Sequence, residues 1–245
     1  MADYFSGHAA SYVEYRPTYP PELFRFIADN VPAQRCVWDC GTGSGQAAQG
    51  LAEHFQKVVA TDISAPQLQH ATPDPRIEYR LAAAEQSGLD AASVDAVTAF
   101  QAAHWFDLSQ FFAEAQRVLV PGGICSIWTY SGCRVNEEVD AIVKTFYDDI
   151  VGPYWPPQRN LVETGYRTIE FPFEAITIPA LFIECEWNLQ TFVNYLRTWS
   201  ATQRYIAAHK VDPLMELWPA LNSAWGAECD RNTVNWRLRG QTGKR

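Results

Sequence analysis

Asp39-Cys40-Gly41-Thr42-Gly43-Ser44-Gly45 sets three glycines at alternate positions directly behind an apolar run, Cys36-Val37-Trp38. A bend with so few side chains lets a ligand approach the backbone closely. The amides that open the following helix-like stretch, Gln46 to His54, would point toward that ligand. Downstream, the β-rich run Lys57-Val58-Val59-Ala60-Thr61 stops at Asp62, 21 positions after Gly41. A carboxylate there can accept hydrogen bonds from both hydroxyls of a ribose cis-diol, and a doubly wound fold places its ribose acid at about this distance. Asp62 is equally placed to cap the helix that Ile63-Ser64-Ala65-Pro66 begins. A plain strand-to-helix turn would account for the glycines alone. Turn, spacing and acid together favour a nucleoside-bearing ligand.

A nicotinamide or flavin dinucleotide is the rival ligand, but its G-x-G-x-x-G fingerprint needs a glycine where Gln46 stands. The pattern present, D-x-G-x-G-x-G from Asp39, closely resembles motif I of class I S-adenosylmethionine-dependent methyltransferases. Four further segments follow in that family's order. Leu81-Ala82-Ala83-Ala84-Glu85 is similar to the small residue and acid after strand three. Ser93 to Phe100 reads as strand four and Gln101-Ala102-Ala103-His104-Trp105-Phe106-Asp107 as the loop beyond it. Arg117 to Ile127 resembles the helix end, Pro-Gly-Gly turn and fifth strand. Tyr12-Val13-Glu14-Tyr15-Arg16-Pro17-Thr18-Tyr19-Pro20 resembles a segment of type 11 methyltransferase domains, in particular the trans-aconitate-methyltransferase-like group. The resemblance covers residues 4–130 and fades beyond them.

The resemblance implies S-adenosylmethionine as cofactor and assigns residues to it. Gly41 and Gly43 would lie under its methionine part, with backbone from Gln101 and Ala102, and Gly45 would also belong to the cofactor site. Asp39 would orient the loop or reach the amino group, a buried acid bonded to loop amides being an equal alternative. Asp62 would hold the ribose; Ile63 and Gln67 would also bind the cofactor, and Ala84 and Glu85 would meet the adenine. In the N-terminal arm, Tyr15 and Arg16 would close over the cofactor, Arg16 pairing with its carboxylate. His104, Trp105 and Tyr12 are the candidates beside the transferred methyl. His104 could serve as a base, a donor to the substrate or a structural part of the loop, and Trp105 could line the pocket or pack beneath it. Arg159, Arg197 and Arg204 lie where a substrate cap is expected and could hold an acidic acceptor.

These residues need a scaffold that brings strand ends together. Strand and helix alternate over residues 36–128, as a parallel sheet requires. We expect an α/β, Rossmann-like doubly wound fold. Its sheet should be mostly parallel and seven-stranded, with an antiparallel edge hairpin and a helical, aromatic cap. The chain should form a single domain over residues 1–245, with an arm (1–19), a cofactor core (20–130) and a cap with edge strands (131–245). Pro20-Pro21-Glu22 should start a helix burying Leu23, Phe26 and Ile27. Phe192, Tyr195, Leu196, Trp199 and Ile206 form one apolar stripe, and Leu214, Leu217, Trp218, Leu221 and Trp225 a second. Thr233 to Arg239 alternates like an edge strand.

The 245 residues carry a net charge of −9, which disfavours a phosphate backbone as partner. The basic cluster Arg237, Arg239, Lys244 and Arg245 reads as a strand edge and tail. Six cysteines show no C-x-x-C pair, and the five histidines are scattered, so neither a disulfide framework nor a metal site is expected. No secretory signal and no long apolar run is evident, which points to the cytoplasm. The expected activity is methylation of a small molecule at a carboxylate or other oxygen. Carbon or nitrogen methylation in the same fold, or a non-catalytic S-adenosylmethionine-binding role, are the alternatives.

Overall fold

The structure, a computed structural model, describes residues 15–227 and 230–245. Tyr12 and Cys229 lie outside the described residues. Seven strands form one sheet: β1 (Cys36–Cys40), β2 (Lys57–Asp62), β3 (Ile77–Leu81), β4 (Val94–Phe100), β5 (Leu119–Thr129), β6 (Glu174–Ile176) and β9 (Arg239–Lys244), in the order β3-β2-β1-β4-β5-β9-β6. The first five pair in parallel, and β9 is antiparallel to both β5 and β6. The strand order reverses between β1 and β4, which is where a doubly wound sheet opens its ligand crevice.

The central strands are buried on both faces, so they read as near-continuous apolar runs. Every residue of β4 is buried. Its one acid, Asp95, accepts from the Arg35 and Cys36 amides and from the Arg35 guanidinium, which fixes the entry of β1 against β4. Helices α1 (Pro21–Asp29), α2 (Gln46–Ala52), α3 (Ala65–Gln69) and α4 (Leu108–Val118) connect or cover these strands. In α1 the buried side chains are Leu23, Phe24, Ile27 and Ala28. Phe26, expected in the core, is only half-buried, with its ring edge-on to Trp128 at 6.0 Å.

Beyond β5 the chain builds the cap. It comprises α5 (Glu137–Thr145) with a π-helical turn (Phe146–Ile150), α6 (Arg159–Glu163), α7 (Leu189–Arg197), α8 (Ser200–His209) and α9 (Leu214–Trp225). The single stripe expected from Phe192 to Ile206 is divided between α7 and α8. Trp199 is extended (φ −65°, ψ 135°), and its ring stacks on Phe146 at 5.9 Å. Burying that indole sideways is incompatible with one straight helix.

The alternating segment near residue 235 also differs from expectation. Strand β8 (Asn232–Arg237) pairs with β7 (Phe182–Trp187) in a separate two-stranded sheet. The antiparallel partner of β5 is the next segment, β9, where a basic tail was expected. A Cβ at Gly240 would lie 2.1 Å from the Ile127 carbonyl oxygen, so glycine lets β9 seat against β5. Among the described residues no helix is long and apolar enough to cross a membrane.

Candidate active site

The glycine loop follows β1 directly. All three glycines have positive φ: +67° at Gly41, +58° at Gly43 and +85° at Gly45. Only glycine adopts this region without strain. Two of them are also pinned by neighbours. A Cβ at Gly41 would lie 2.6 Å from the Ala102 Cβ, and one at Gly45 would lie 2.4 Å from the Tyr79 hydroxyl. At Gly43 the nearest atom would be Gln67 Oε1 at 3.8 Å, so this glycine faces open space. Asp62 latches the loop, its two carboxylate oxygens accepting from the Gly43 and Ser64 amides, each at 2.8 Å.

Asp39 is 1 % exposed. It accepts from the hydroxyls of Thr42 (2.6 Å) and Thr98 (3.0 Å). Burial raises its pKa to about 7, with the charge of Asp62 adding to the rise and the two hydroxyls opposing it. Burial penalises the charged form more than two neutral donors repay.

A cleft with roughly 1130 Å³ of empty space, its open mouth included, lies along this loop. Asp39, Gly41, Gly43, Asp62, Ile63, Gln67 and Ala84 line it, as do Gln101, Ala102 and Trp105. Tyr19 and Tyr130 also line the cleft, and the Tyr19 ring lies 4.9 Å from that of Phe100. Gln101 has a strained φ of +52°. Its side chain is spent on β5: Oε1 accepts from the Thr129 hydroxyl and the Tyr130 amide, and Nε2 donates to the Tyr130 carbonyl. Its backbone is what borders the cleft.

A second cavity of about 510 Å³ shares Gln101, Trp105 and Tyr130 with the first. His104 lines only this one. Its Nδ1 lies 2.8 Å from the Tyr166 hydroxyl. Tyr166 is fully buried, which lifts its pKa and keeps its hydroxyl protonated. The contact fixes the ring whichever of its nitrogens carries the proton. Burial, and then the Arg159 charge, lower the His104 pKa to about 3.

Several expected residues stand elsewhere. Arg16 lines the second cavity and not the cleft; it donates to the Thr198 carbonyl and lies over the Tyr195 ring. Glu85 does not line the cleft. Its Oε1 accepts from the Asp107 amide at 2.9 Å, stapling the segment after β3 to the loop after β4. Gly45 starts α2 rather than bordering the cleft, and Tyr15 packs against the core.

The sequence profile described as a methyltransferase domain matches residues 38–127. A Dictyostelium discoideum protein named as a methyltransferase is 35% identical over 227 residues, 91% of this chain and 86% of its own length. An uncharacterised methyltransferase of Mycobacterium tuberculosis is 38% identical over 175 residues, 67% of this chain and 71% of its own. A solved structure from Anaeromyxobacter dehalogenans, named as a type II methyltransferase, superimposes with a TM-score of 0.89 at 44% identity, covering 94% of this chain and 98% of that one. This chain belongs to the S-adenosylmethionine-dependent methyltransferases.

The cleft of the methyltransferase fits its cofactor on two observations. Gly43 leaves unfilled the volume that any other residue's Cβ would occupy. Beside it, Gln67 Oε1 is buried without a hydrogen-bond partner, an unmet acceptor on the cleft wall. The signals for Tyr19 and Tyr130 were present in sequence, as the last tyrosine of the arm motif and the residue just after the fifth strand. Neither has a spacing rule that separates a cleft wall from a core aromatic. Among the described residues no group of three or more His, Cys, Asp or Glu could hold a metal ion.

Proposed function

We propose that the whole chain works as one methyltransferase domain that methylates a small acidic molecule at a carboxylate or other oxygen. The observation that carries this reading is the second cavity. It adjoins the cleft along a shared wall, and the charged side chains lining it are Arg16 and Arg159, with no carboxylate among them. In a chain whose net charge is −9, such a cationic pocket is selective for small anions rather than part of a basic surface. The described cysteines are free thiols, which supports a reducing, cytoplasmic setting.

S-adenosylmethionine supplies an electrophilic methyl on a sulfonium, and the protein positions an acceptor in line with it. The amide-lined turn at Gly41 and Gly43 would hold the methionine part. Asp62 would accept from the ribose hydroxyls as well as latch the loop. Ile63, Gln67 and Ala84 would enclose the nucleoside. Glu85 would act through the loop it staples, and Arg16 on the acceptor side.

His104, neutral at physiological pH, would donate to the acceptor from Nε2 with Nδ1 accepting from Tyr166; a ring with a pKa near 3 is a poor base at neutral pH. A carboxylate acceptor needs no base, which accords with that donor role. Trp105, on the wall common to both cavities, would separate water from the reacting atoms.

Calorimetric titration with S-adenosylhomocysteine, with NAD as control, tests the cofactor half. Asp62→Ala should weaken binding by more than about 1 kcal/mol, the loss expected for charge-assisted bonds. Unchanged affinity would refute the ribose assignment. A screen of small acids with S-adenosylmethionine tests the rest; methylation at carbon or nitrogen, or none of any acceptor, would overturn it.

A further inference from the structure

The cap carries several arginines, and the structure separates them. Arg197 is bonded to Asp212 and Asn194, and Arg204 donates to the Tyr154 carbonyl; neither lines a cavity of the site. Arg16 has an Nη donating to the Thr198 carbonyl. Arg159 is built differently. Its Nε donates to Glu163 at 2.7 Å and to the Tyr147 hydroxyl at 2.9 Å. The guanidinium lies 4.4 Å over the Trp155 ring and 5.4 Å from the Tyr147 ring. The side chain is 17% exposed and lines the second cavity. The inner edge of the fork is thus committed, while the two Nη groups make no hydrogen bond to any described residue.

This is a pre-organised seat for a planar oxyanion. The side-chain entropy and much of the desolvation are already spent in folding, so little is lost when an anion arrives. Glu163, bonded to Nε, offsets part of the local charge and so disfavours a dianion such as phosphate against a carboxylate.

We infer that Arg159 anchors a carboxylate of the acceptor that is not the oxygen methylated. The inference rests on the acidic-acceptor reading above. A carboxylate gripped by both Nη groups has its lone pairs engaged by charge-assisted bonds, which lowers its nucleophilicity. Arg159 also lines only the second cavity, whereas contact with the cofactor cleft runs through Gln101, Trp105 and Tyr130. The acceptor therefore carries two functions: a carboxylate held at α6 and a separate nucleophilic atom at the shared wall.

The test uses acetate as the minimal carboxylate and acetamide as its neutral isostere, followed by saturation-transfer NMR on the full chain saturated with S-adenosylhomocysteine. Acetate should bind saturably and acetamide should not. Arg159→Met should weaken acetate by about tenfold or more, as expected for a lost charge-assisted pair. Arg159→Lys, which keeps the charge without the fork, should fall between and covers the case in which Arg159→Met fails to fold. Affinity for S-adenosylhomocysteine should be unchanged in both variants. With S-adenosylmethionine, acetate bound at Arg159 should yield no methyl acetate.

Equal acetate binding in the wild type and the folded variants, or no saturable binding at all, overturns the seat. Arg159-dependent formation of methyl acetate overturns the claim that the anchored group is not the one methylated. Failure of the wild type to bind S-adenosylhomocysteine would instead sink the reading of the cleft.

Discussion

The Tyr166 hydroxyl lies 2.8 Å from Nδ1 of His104, and both side chains are buried. Tyr166 comes from the turn after α6, at a strained φ of +63°; His104 comes from the loop after β4. The bond therefore joins the cap to the cofactor-side loop and fixes the imidazole ring. Tyr166→Phe should leave Nδ1 buried and unpaired, costing about 1–3 kcal/mol of stability. Turnover should fall further than that loss of folded protein explains, with S-adenosylhomocysteine affinity unchanged. Urea unfolding, calorimetry and single-turnover rates on the same preparation check it. A variant with wild-type turnover would make the pair purely structural.

Two buried groups push the pH dependence of stability in opposite directions. His104 has a folded pKa near 3 against 6.5, so the unfolded chain binds its proton first as pH falls. Its contribution is present above 6.5 and lost on acidification toward 3. Asp39 has a folded pKa near 7 against 3.8, so the native state holds the extra proton. Its contribution is present below 3.8 and lost as pH rises toward 7. Each slope is about 1.4 kcal/mol per pH unit, and between roughly pH 4 and 6.5 they cancel. Asp39→Asn keeps an oxygen for one threonine and removes the second slope. Its stability should then rise with pH from 5 to 6.5, where the wild type changes little from these two groups. Denaturant midpoints at three pH values decide it; parallel curves for the two proteins would mean that Asp39 titrates normally.

What could be read in the sequence was whatever obeys a local rule. The glycine turn, Asp62 and the buried strands β1, β2 and β4 follow from φ requirements, spacing and apolar runs. Strand β9 could not be read, because Arg-Gly-Gln-Thr-Gly-Lys has no apolar alternation; its place depends on Gly240 fitting beneath Ile127, a contact 113 positions away along the chain. The break at Trp199 was hidden for a similar reason, since only the position of Phe146 explains why the helix stops. Arg159 could not be told apart in the sequence from Arg197 and Arg204, which shared its place in the expected cap. What distinguishes it is the set of rings beneath it, contributed by residues 147 and 155 and assembled only in the fold.

Glu85 provides a sharper test of that difference between motif and contact. Its carboxylate accepts from the Asp107 amide, and Asp107 in turn caps α4 by accepting from the Gln110 amide. Trp105 and Phe106 immediately precede this doubly held residue. Glu85→Gln keeps an acceptor oxygen and should cost little. Glu85→Ala should lose about 1 kcal/mol of stability and weaken cofactor binding only through the loosened loop. Thermal melts with and without S-adenosylhomocysteine measure both. If Glu85→Gln lost affinity with an unchanged melt, a direct contact to the cofactor would replace the staple.

The glycine loop permits a separation of folding from binding that few sites offer. Alanine at any of its glycines takes on left-handed strain of about 1 kcal/mol. At Gly41 the new methyl also meets Ala102 at 2.6 Å, so the loop after β4 must move. At Gly45 it meets the Tyr79 hydroxyl at 2.4 Å, and Tyr79 is held by Gln49 and the Thr72 carbonyl. Both variants should lose stability well beyond the strain term, and cofactor affinity with it. At Gly43 the methyl enters the cleft with nothing closer than 3.8 Å. Gly43→Ala should therefore melt within a few degrees of the wild type and yet bind S-adenosylhomocysteine poorly, because the methyl occupies the ligand's volume. Melting temperature and calorimetric affinity, measured across the three variants, give the comparison. A Gly43→Ala protein that binds normally would show that the ligand does not lie against this face of the loop.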